Sequence, residues 1–181
     1  MKKLTHEEII CAGFGGQGIV LMGKFLAEAG MKNGYNITWL PSYGAEVRGG
    51  TAHSMVHIST QKIASPVISK PTTCIAMNEP SLVKFIDRIK KGGLLIVNTS
   101  MVNNVPEKKG IKIVKLPLTR IASELGNVKV ANMIAIGAFI GLRKILSLKD
   151  IQEALDKVLP SKKDLISINK KAIELGYKLV S

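Results

Sequence analysis

A glycine-rich turn constrains the fold of this sequence more than any other feature. The turn Gly13-Phe14-Gly15-Gly16-Gln17-Gly18 follows a short apolar run, Glu8 to Ala12, that predicts a buried strand. After it, residues 16–33 carry apolar side chains at spacings of three and four, which predicts an amphipathic helix. A strand, a tight glycine turn and a helix in this order are typical of α/β folds with a parallel sheet.

Strand and helix signals continue to alternate along the chain. Together they predict one domain over residues 1–181, an open, mainly parallel, twisted, Rossmann-like sheet with helices on both faces. Residues 51–59 alternate in polarity, which predicts a strand with one buried face. Residues 61–68 are a candidate second strand that would pair with it. The part from about 117 to 181 is predicted to be mostly helical, and the serine-x-x-acid pattern at 147–150 and again at 161–164 predicts two helix starts there. The other predicted strands are 36–40, 73–77, 94–98 and 111–116, and a helix is predicted over 80–89.

The turn has the chemistry of an anion-binding site. Glycines permit positive φ and let a ligand approach the backbone where a Cβ would block it. The helix that follows begins with unpaired N–H groups and a partial positive charge, which suits phosphate or carboxylate. All six residues, Gly13, Phe14, Gly15, Gly16, Gln17 and Gly18, are therefore candidate ligand contacts. The alternative is a turn whose glycines serve only the packing of helix on sheet.

The same glycines fit the pattern G-x-G-x-x-G, which raises an NAD(P)-binding dehydrogenase as an alternative function. Such an enzyme needs an acidic residue near the end of the second strand to hold the ribose hydroxyls. Residues 37–42 contain none, and Glu46 comes only later, inside a loop. The sequence therefore disfavours nicotinamide binding.

A second glycine-rich loop, Ser42 to Gly50, follows the predicted second strand. Carboxyl ends of parallel strands share one edge of a sheet, so this loop is expected beside the first turn. Arg48 can present its guanidinium to a carboxylate or phosphate, and Glu46 can pair with it or face a ligand. The alternative is a flexible loop with a surface salt bridge. The candidate contacts here are Tyr43, Glu46, Arg48, Gly49, Gly50 and Thr51; Asn78, at a strand end, either lines the same crevice or caps the next turn.

The net charge of +13 does not point to nucleic acid. The lysines occur as scattered doublets, and aromatic residues make up only 4% of the chain, too few for base stacking. A solvated lysine surface, or a field that attracts anionic cofactors or acidic partners, fits better. No apolar run is long enough for a membrane span and the polar start does not resemble a signal peptide, so a cytoplasmic location is expected.

Cysteine and histidine patterns offer no catalytic or metal site along the sequence. Cys11 and Cys74 each lie in an apolar run and are interpreted as buried free thiols, too few to hold an iron–sulfur cluster. His53 and His57 share a strand face but lie roughly 13 Å apart at about 3.3 Å per residue, too far to chelate one metal. We therefore expect no metal site and no nucleophilic triad.

Taken together, the two loops resemble the gamma subunit of 2-oxoacid:ferredoxin oxidoreductases. The resemblance is carried by residues 13–18, by the run from Trp39 to Ala52, and by three downstream pieces: Ser69-Lys70-Pro71, Ala76-Met77-Asn78 and Ala131-Asn132-Met133. It covers about Ile9 to Leu146. The Tyr-Gly-x-Glu-x-Arg-Gly-Gly-Thr form at 43–51 is most similar to the 2-oxoglutarate branch, with the pyruvate and ketoisovalerate types as the alternative.

This resemblance implies a subunit that cannot act alone. The assembled enzyme would convert a 2-oxoacid, coenzyme A and oxidised ferredoxin to acyl-CoA, carbon dioxide and reduced ferredoxin. Thiamine diphosphate and the iron–sulfur clusters would belong chiefly to alpha, beta and delta-type companions. The resemblance assigns no cofactor and no catalytic residue to the chain by itself, which would help to complete the active-site region and the coenzyme A side of the crevice. There residues 13–18 would bind an anionic group and Arg48 would be its charged contact. Isolated from its companions, such a subunit would expose an apolar patch through which it can form a homodimer.

Overall fold

One six-stranded sheet organises the chain. The computed structural model describes residues 5–42, 51–159 and 163–181. The strands are β1 (His6–Phe14), β2 (Asn36–Ser42), β3 (Thr51–Ser59), β4 (Thr73–Ala76), β5 (Leu94–Asn98) and β6 (Lys112–Leu116). The helices are α1 (Ile19–Lys32), α2 (Glu79–Phe85), α3 (Leu118–Glu124), α4 (Ala131–Arg143), α5 (Leu148–Val158) and α6 (Lys163–Lys178). Short 3₁₀ turns cover Ile86–Arg88 and Val128–Val130.

The strand order across the sheet is β2-β3-β1-β4-β5-β6. β1 pairs in parallel with β4, β4 with β5, and β5 with β6. β3 pairs antiparallel with both β1 and β2, so among the described strands it alone runs in the opposite direction. The predicted open, mainly parallel α/β fold is confirmed. It is Rossmann-like only in a loose sense, because an antiparallel strand separates β1 from β2.

Alternate residues of β1 enter two different cores. Ile9 and Cys11 face the core formed with α1 and α4, whereas Ile10 and Ala12 face the core beneath α2. Each core is fully buried at its centre, with Phe139 in the first and Phe85 in the second. The helices therefore cover both faces of the sheet, as predicted, and the apolar alternation of β1 follows from this two-sided burial.

The two cysteines are buried free thiols, as predicted. Cys11 and Cys74 lie on neighbouring strands but face opposite cores, because Cys74 is paired in register with Ile10. Burial raises the pKa of both thiols, that of Cys74 to about 12, although Arg88 acts on it in the opposite direction. Both side chains therefore stay protonated and serve as small apolar groups.

Local signals mark the helix ends well, with two corrections to the predicted elements. Ser147 and Asp150 form the predicted capping box of α5, and Gly34, with φ of 68°, ends α1. The first helix begins at Ile19 and not at residue 16, because Gly18 is left-handed. Residues 61–68 are irregular and do not form a strand beside β3. The second helix-start signal begins at Ser161, outside the described residues, and its capping bonds are not part of what the structure describes. Across the described ranges, no helix is both long and apolar enough to cross a membrane.

Candidate functional site

The glycine turn lies at the carboxyl end of β1 and leads directly into α1. Gly16 and Gly18 have φ of 89° and 71°, values that non-glycine residues rarely adopt. Gly18 occupies the N-cap of α1 and, being a glycine, supplies no side-chain hydrogen bond to cap the helix. The N-cap residue therefore does not occupy the first N–H groups of α1, which suits this helix end to a negative charge.

The four glycines of the turn divide into two pairs. A Cβ on Gly13 would lie 2.5 Å from Oε1 of Gln17, and one on Gly18 would overlap the amide of Asn132. These two glycines are needed for packing. Around Gly15 and Gly16, in contrast, no atom of the described residues lies within 4 Å of a built Cβ, so none of these residues blocks a ligand from their backbone. The turn thus combines the packing role and the open backbone that the sequence left as alternatives.

Gln17 holds the turn from within. Its Oε1 accepts a hydrogen bond of 2.7 Å from the backbone N–H of Phe14, and its Nε2 lies 3.5 Å from the carbonyl oxygen of Met77 at the end of β4. The side chain therefore joins the ends of two neighbouring strands. It shapes the turn and also borders a depression beside Gly16.

Asn78 and Asn98 lie buried at the same edge and serve as caps. Oδ1 of Asn78 accepts a hydrogen bond of 3.0 Å from the N–H of Ser81 and caps α2. Oδ1 of Asn98 accepts bonds of 3.3 Å from the backbone N–H groups of Ser100 and Thr119. Capping, one of the two alternatives that the sequence offered for Asn78, is thus the role that its hydrogen bond shows.

Two depressions flank the exposed side of the turn. One, of about 390 Å³, lies against Phe14, Gly16 and Leu21 and includes Lys24. The other, of about 220 Å³, lies between Gly16, Met77 and Val128 and includes Lys129. Both are mainly apolar with one exposed lysine each, a lining that suits a ligand with an apolar body and anionic groups.

Sequence reasoning missed both lysines. Lys24 lies six residues beyond Gly18, on the helix that the turn begins, so a helical projection would have placed it near the turn. Lys129 comes from a segment more than one hundred residues later. No local pattern relates it to the turn.

The second glycine loop starts and ends at the same edge of the sheet as the turn. Ser42, at the end of β2, pairs with His53 of β3, and Thr51, at the start of β3, pairs with Phe14 of β1. Both ends of the loop therefore lie level with the end of β1, as expected. The predicted contacts Tyr43, Glu46, Arg48, Gly49 and Gly50 fall outside the described residues.

The sheet order disfavours a nicotinamide site. In dinucleotide-binding folds the second strand neighbours the first, so that its terminal acid reaches the ribose. Here β3 lies between β1 and β2, which moves the end of β2 roughly 10 Å from β1 at about 4.8 Å per strand. β2 also carries no acidic residue.

The sequence of this chain matches the model of a known protein family over most of its length. The family model described as pyruvate ferredoxin/flavodoxin oxidoreductase covers residues 8–179. The chain belongs to this family. The resemblance noted from the two loops is thereby confirmed.

Relatives of this family member include subunits of enzymes for two different 2-oxoacids. It is 36% identical over 162 residues to 2-oxoglutarate synthase subunit KorC of Methanothermobacter marburgensis, covering 86% of this chain and 87% of that one. It is 34% identical over 166 residues to ketoisovalerate oxidoreductase subunit VorA of the same organism, covering 91% of this chain. The chain spans about a third of the length of VorA, 34%.

A solved structure has the same fold over nearly its whole length. The gamma subunit of keto/oxoacid ferredoxin oxidoreductase from Geobacter sulfurreducens superposes with a TM-score of 0.82 at 28% identity. The match covers 95% of this chain and 96% of that one. The architecture of this family member is therefore that of a gamma subunit.

Proposed function

We propose that this chain is the gamma-type subunit of a 2-oxoacid:ferredoxin oxidoreductase acting on 2-oxoglutarate. The complete enzyme would carry out oxidative decarboxylation to an acyl-CoA, with ferredoxin as electron acceptor. Thiamine diphosphate, the iron–sulfur clusters and most substrate contacts would come with alpha, beta and delta-type companions. The two buried cysteines support this division, because both are enclosed in the cores and cannot ligate a cluster.

One observation supports the proposal that this chain itself contacts coenzyme A. The backbone at Gly15 and Gly16 is open, at an uncapped helix N-terminus, between two apolar depressions that each hold a lysine. Coenzyme A combines an extended apolar and amide arm with several phosphates, so its chemistry fits both features. We assign the phosphates to the turn and its two lysines, with Arg48 as a further contact from the neighbouring loop.

We prefer 2-oxoglutarate as the substrate because the chain matches the KorC relative along most of its length. KorC matches this chain over 87% of its own length, whereas VorA is matched over 34% of its length. The glycine loop at 43–51 also resembles the 2-oxoglutarate branch. Ketoisovalerate is the alternative substrate that the relatives support.

The subunit role is tested by assembly. The gene would be co-expressed with those of its alpha, beta and delta-type companions, the complex purified through a companion's tag, and the reduction of ferredoxin followed spectroscopically. We expect turnover that requires coenzyme A, a 2-oxoacid and this chain together, with kcat/KM at least ten times higher for 2-oxoglutarate than for ketoisovalerate. Turnover by a complex lacking this chain would overturn the subunit role, and a preference for ketoisovalerate would overturn the substrate.

The ligand role is tested by substitution at Gly15. Gly15 has open space around a built Cβ and no positive φ, so Gly15→Leu should fold normally while obstructing the backbone. We expect the KM for coenzyme A to rise at least ten-fold in the complex. The control Gly92→Ala adds strain at φ of 77° elsewhere in the chain. It should lower thermal stability without changing that KM. An unchanged KM in the Gly15 variant would overturn the coenzyme A assignment and leave the subunit role standing.

A further inference from the structure

A cluster of three metal-ligating side chains lies on the sheet far from the glycine turn. His6 and Glu8 lie two residues apart on β1 and therefore point to the same face. His57 of β3 is paired directly with Glu8. One ligand atom from each of the three residues lies within 4.8 Å of the others. Along β1, eight residues separate His6 from Phe14, about 26 Å at 3.3 Å per residue, so this cluster is independent of the proposed coenzyme A site.

The strand register creates this cluster. In antiparallel pairs the directly opposed side chains are close neighbours, and diagonal ones are within reach of long side chains. The Glu8–His57 pair is directly opposed, and His6 is diagonal to His57 with ring centroids 5.8 Å apart. Oε1 of Glu8 lies 3.8 Å from Nε2 of His6. The spacing of His53 and His57 along β3 could not indicate this cluster, because the other two ligands, His6 and Glu8, lie on β1.

His57 is the observation that points to a ligand. The residue is only 4% exposed, and neither of its ring nitrogens has a hydrogen-bond partner among the described residues. Oγ1 of Thr38, on the strand at the other side of His57, also has none. Buried polar atoms normally find a partner, and an imidazole without one presents a free lone pair.

The electrostatics around His57 favour the form that binds metals. Burial lowers the pKa of His57; nearby Glu8 opposes this, while His6 and Lys90 reinforce it. Lys90 pairs with Oε2 of Glu8, which leaves Oε1 directed towards His6.

From this geometry we propose that His6, Glu8 and His57 bind a divalent transition-metal ion of the zinc or cobalt type. Two imidazoles and one carboxylate form a ligand set suited to borderline ions and not to Mg²⁺ or Ca²⁺, which prefer oxygen ligands. Tetrahedral ligands about 2.1 Å from the ion lie about 3.4 Å apart, so no pair of ligand atoms needs to close by more than roughly 1.4 Å. His6, with a side chain 46% exposed, has the freedom to move and leaves a solvent-facing fourth position.

Lys90 should tune the affinity of this site. Its ammonium holds one oxygen of Glu8 and so orients the carboxylate, but its positive charge also repels a cation nearby. Removing the charge should therefore strengthen metal binding. Lys91, the next residue and exposed, forms no described ion pair and provides the matched control.

The test is a titration of the tag-free full chain, freed of metal with a chelator, with Co²⁺ followed by visible absorption and with Zn²⁺ followed by calorimetry. We expect one ion per chain, and His6→Gln, Glu8→Gln and His57→Gln each to weaken binding at least ten-fold. His53→Gln, on the same strand face, should change affinity less than two-fold. Lys90→Met should tighten binding several-fold and Lys91→Met should not.

Three results would overturn the proposal. They are the absence of saturable binding in the wild type, unchanged affinity in a correctly folded His6→Gln or Glu8→Gln chain, and an equal loss in His53→Gln. His6 and Glu8 are partly exposed, so their variants decide the matter even if His57→Gln fails to fold. The metal titration uses the isolated chain and not the assembled enzyme. Its result, whether positive or negative, therefore leaves the proposed coenzyme A site untouched.

Discussion

The backbone N–H of Phe14 donates a hydrogen bond of 2.7 Å to the side-chain Oε1 of Gln17, three residues further along the turn. This bond closes the glycine turn on itself and leaves the backbone at Gly15 and Gly16 facing outwards. The polar side chain in the middle of the turn therefore fixes the shape of the backbone that we propose as the anion site.

Two substitutions of Gln17 should distinguish its effect on the shape of the turn from the effect of charge at the proposed anion site. Gln17→Ala removes the acceptor of the Phe14 N–H, and we expect the free energy of unfolding to fall by about 1–2 kcal/mol. Gln17→Glu retains an acceptor oxygen but places a negative charge beside the anion site. It should unfold within about 1 kcal/mol of the wild type and yet raise the KM for coenzyme A in the complex. Urea unfolding and steady-state kinetics measure the two effects. A Glu variant with wild-type KM would contradict the anion site.

Close packing of α4 on α6 should be sensitive to a single methyl group. A Cβ on Gly137 would overlap the backbone of Ile173, and one on Gly176 would overlap that of Ile134. We expect Gly137→Ala to lower the free energy of unfolding by about 2 kcal/mol, because the overlap outweighs the gain in helix propensity. Urea unfolding of the full chain measures this change in the free energy of unfolding.

Gly141→Ala is the control on the same helix. There the nearest contact of a built Cβ, at 2.8 Å, is Cγ2 of Val180, a side-chain methyl that can rotate away. We expect a change below about 1 kcal/mol. Equal losses in the Gly137 and Gly141 variants would refute the assignment of close backbone contact to Gly137.

A buried ion pair joins the start of β1 to the end of α4. Nε of Arg143 lies 3.2 Å from Oε1 of Glu7, a residue only 7% exposed, whose carboxylate also accepts a bond of 2.7 Å from Oγ1 of Thr72. Arg143→Met leaves this carboxylate without its cation and should cost about 3–5 kcal/mol of unfolding free energy.

Two comparisons check this interpretation by thermal and urea unfolding. The double variant Glu7→Gln with Arg143→Met should recover part of the loss, since no uncompensated charge remains. Arg120→Met breaks an exposed pair with Glu124, 3.8 Å apart, and should change stability by less than about 0.5 kcal/mol. A double variant no more stable than Arg143→Met would show that charge compensation is not the cause.

The buried thiols should make the chain less stable at high pH. In the unfolded chain a cysteine loses its proton near pH 9.0, whereas burial raises the pKa of Cys74 to about 12 in the folded chain. Because the folded state holds its proton more tightly, this stabilisation is complete below pH 9.0 and is lost as pH rises towards 12. The slope is about 1.4 kcal/mol per pH unit for each thiol.

Urea unfolding between pH 8 and 10 under reducing conditions tests this expectation. Cys74→Ala should show a shallower decline than the wild type, whatever its stability at pH 8. A thiol reagent should label neither cysteine in the native chain at pH 8 and both after unfolding. Parallel pH profiles of wild type and variant would contradict the assigned cause.

Local patterns in the sequence determined the order of elements and the place of the turn. The apolar run before Gly13, the helical spacing after it and the capping box at Ser147 each depend on residues within a few positions of one another. For that reason β5 has the predicted bounds and the prediction of a mainly parallel α/β sheet is confirmed. The two glycine loops also carried enough local identity to indicate the family.

Only the tertiary structure decided which distant residues meet. Insertion of β3 between β1 and β2 depends on strand pairing across the sheet, and it places His57 opposite Glu8. The inward orientation of Gln17 depends on packing against β4, and the place of Lys129 beside the turn depends on the path of the chain after α3. These relationships join residues tens to more than a hundred positions apart, where no local propensity relates one side chain to another and the packing of the whole sheet determines the distance between them.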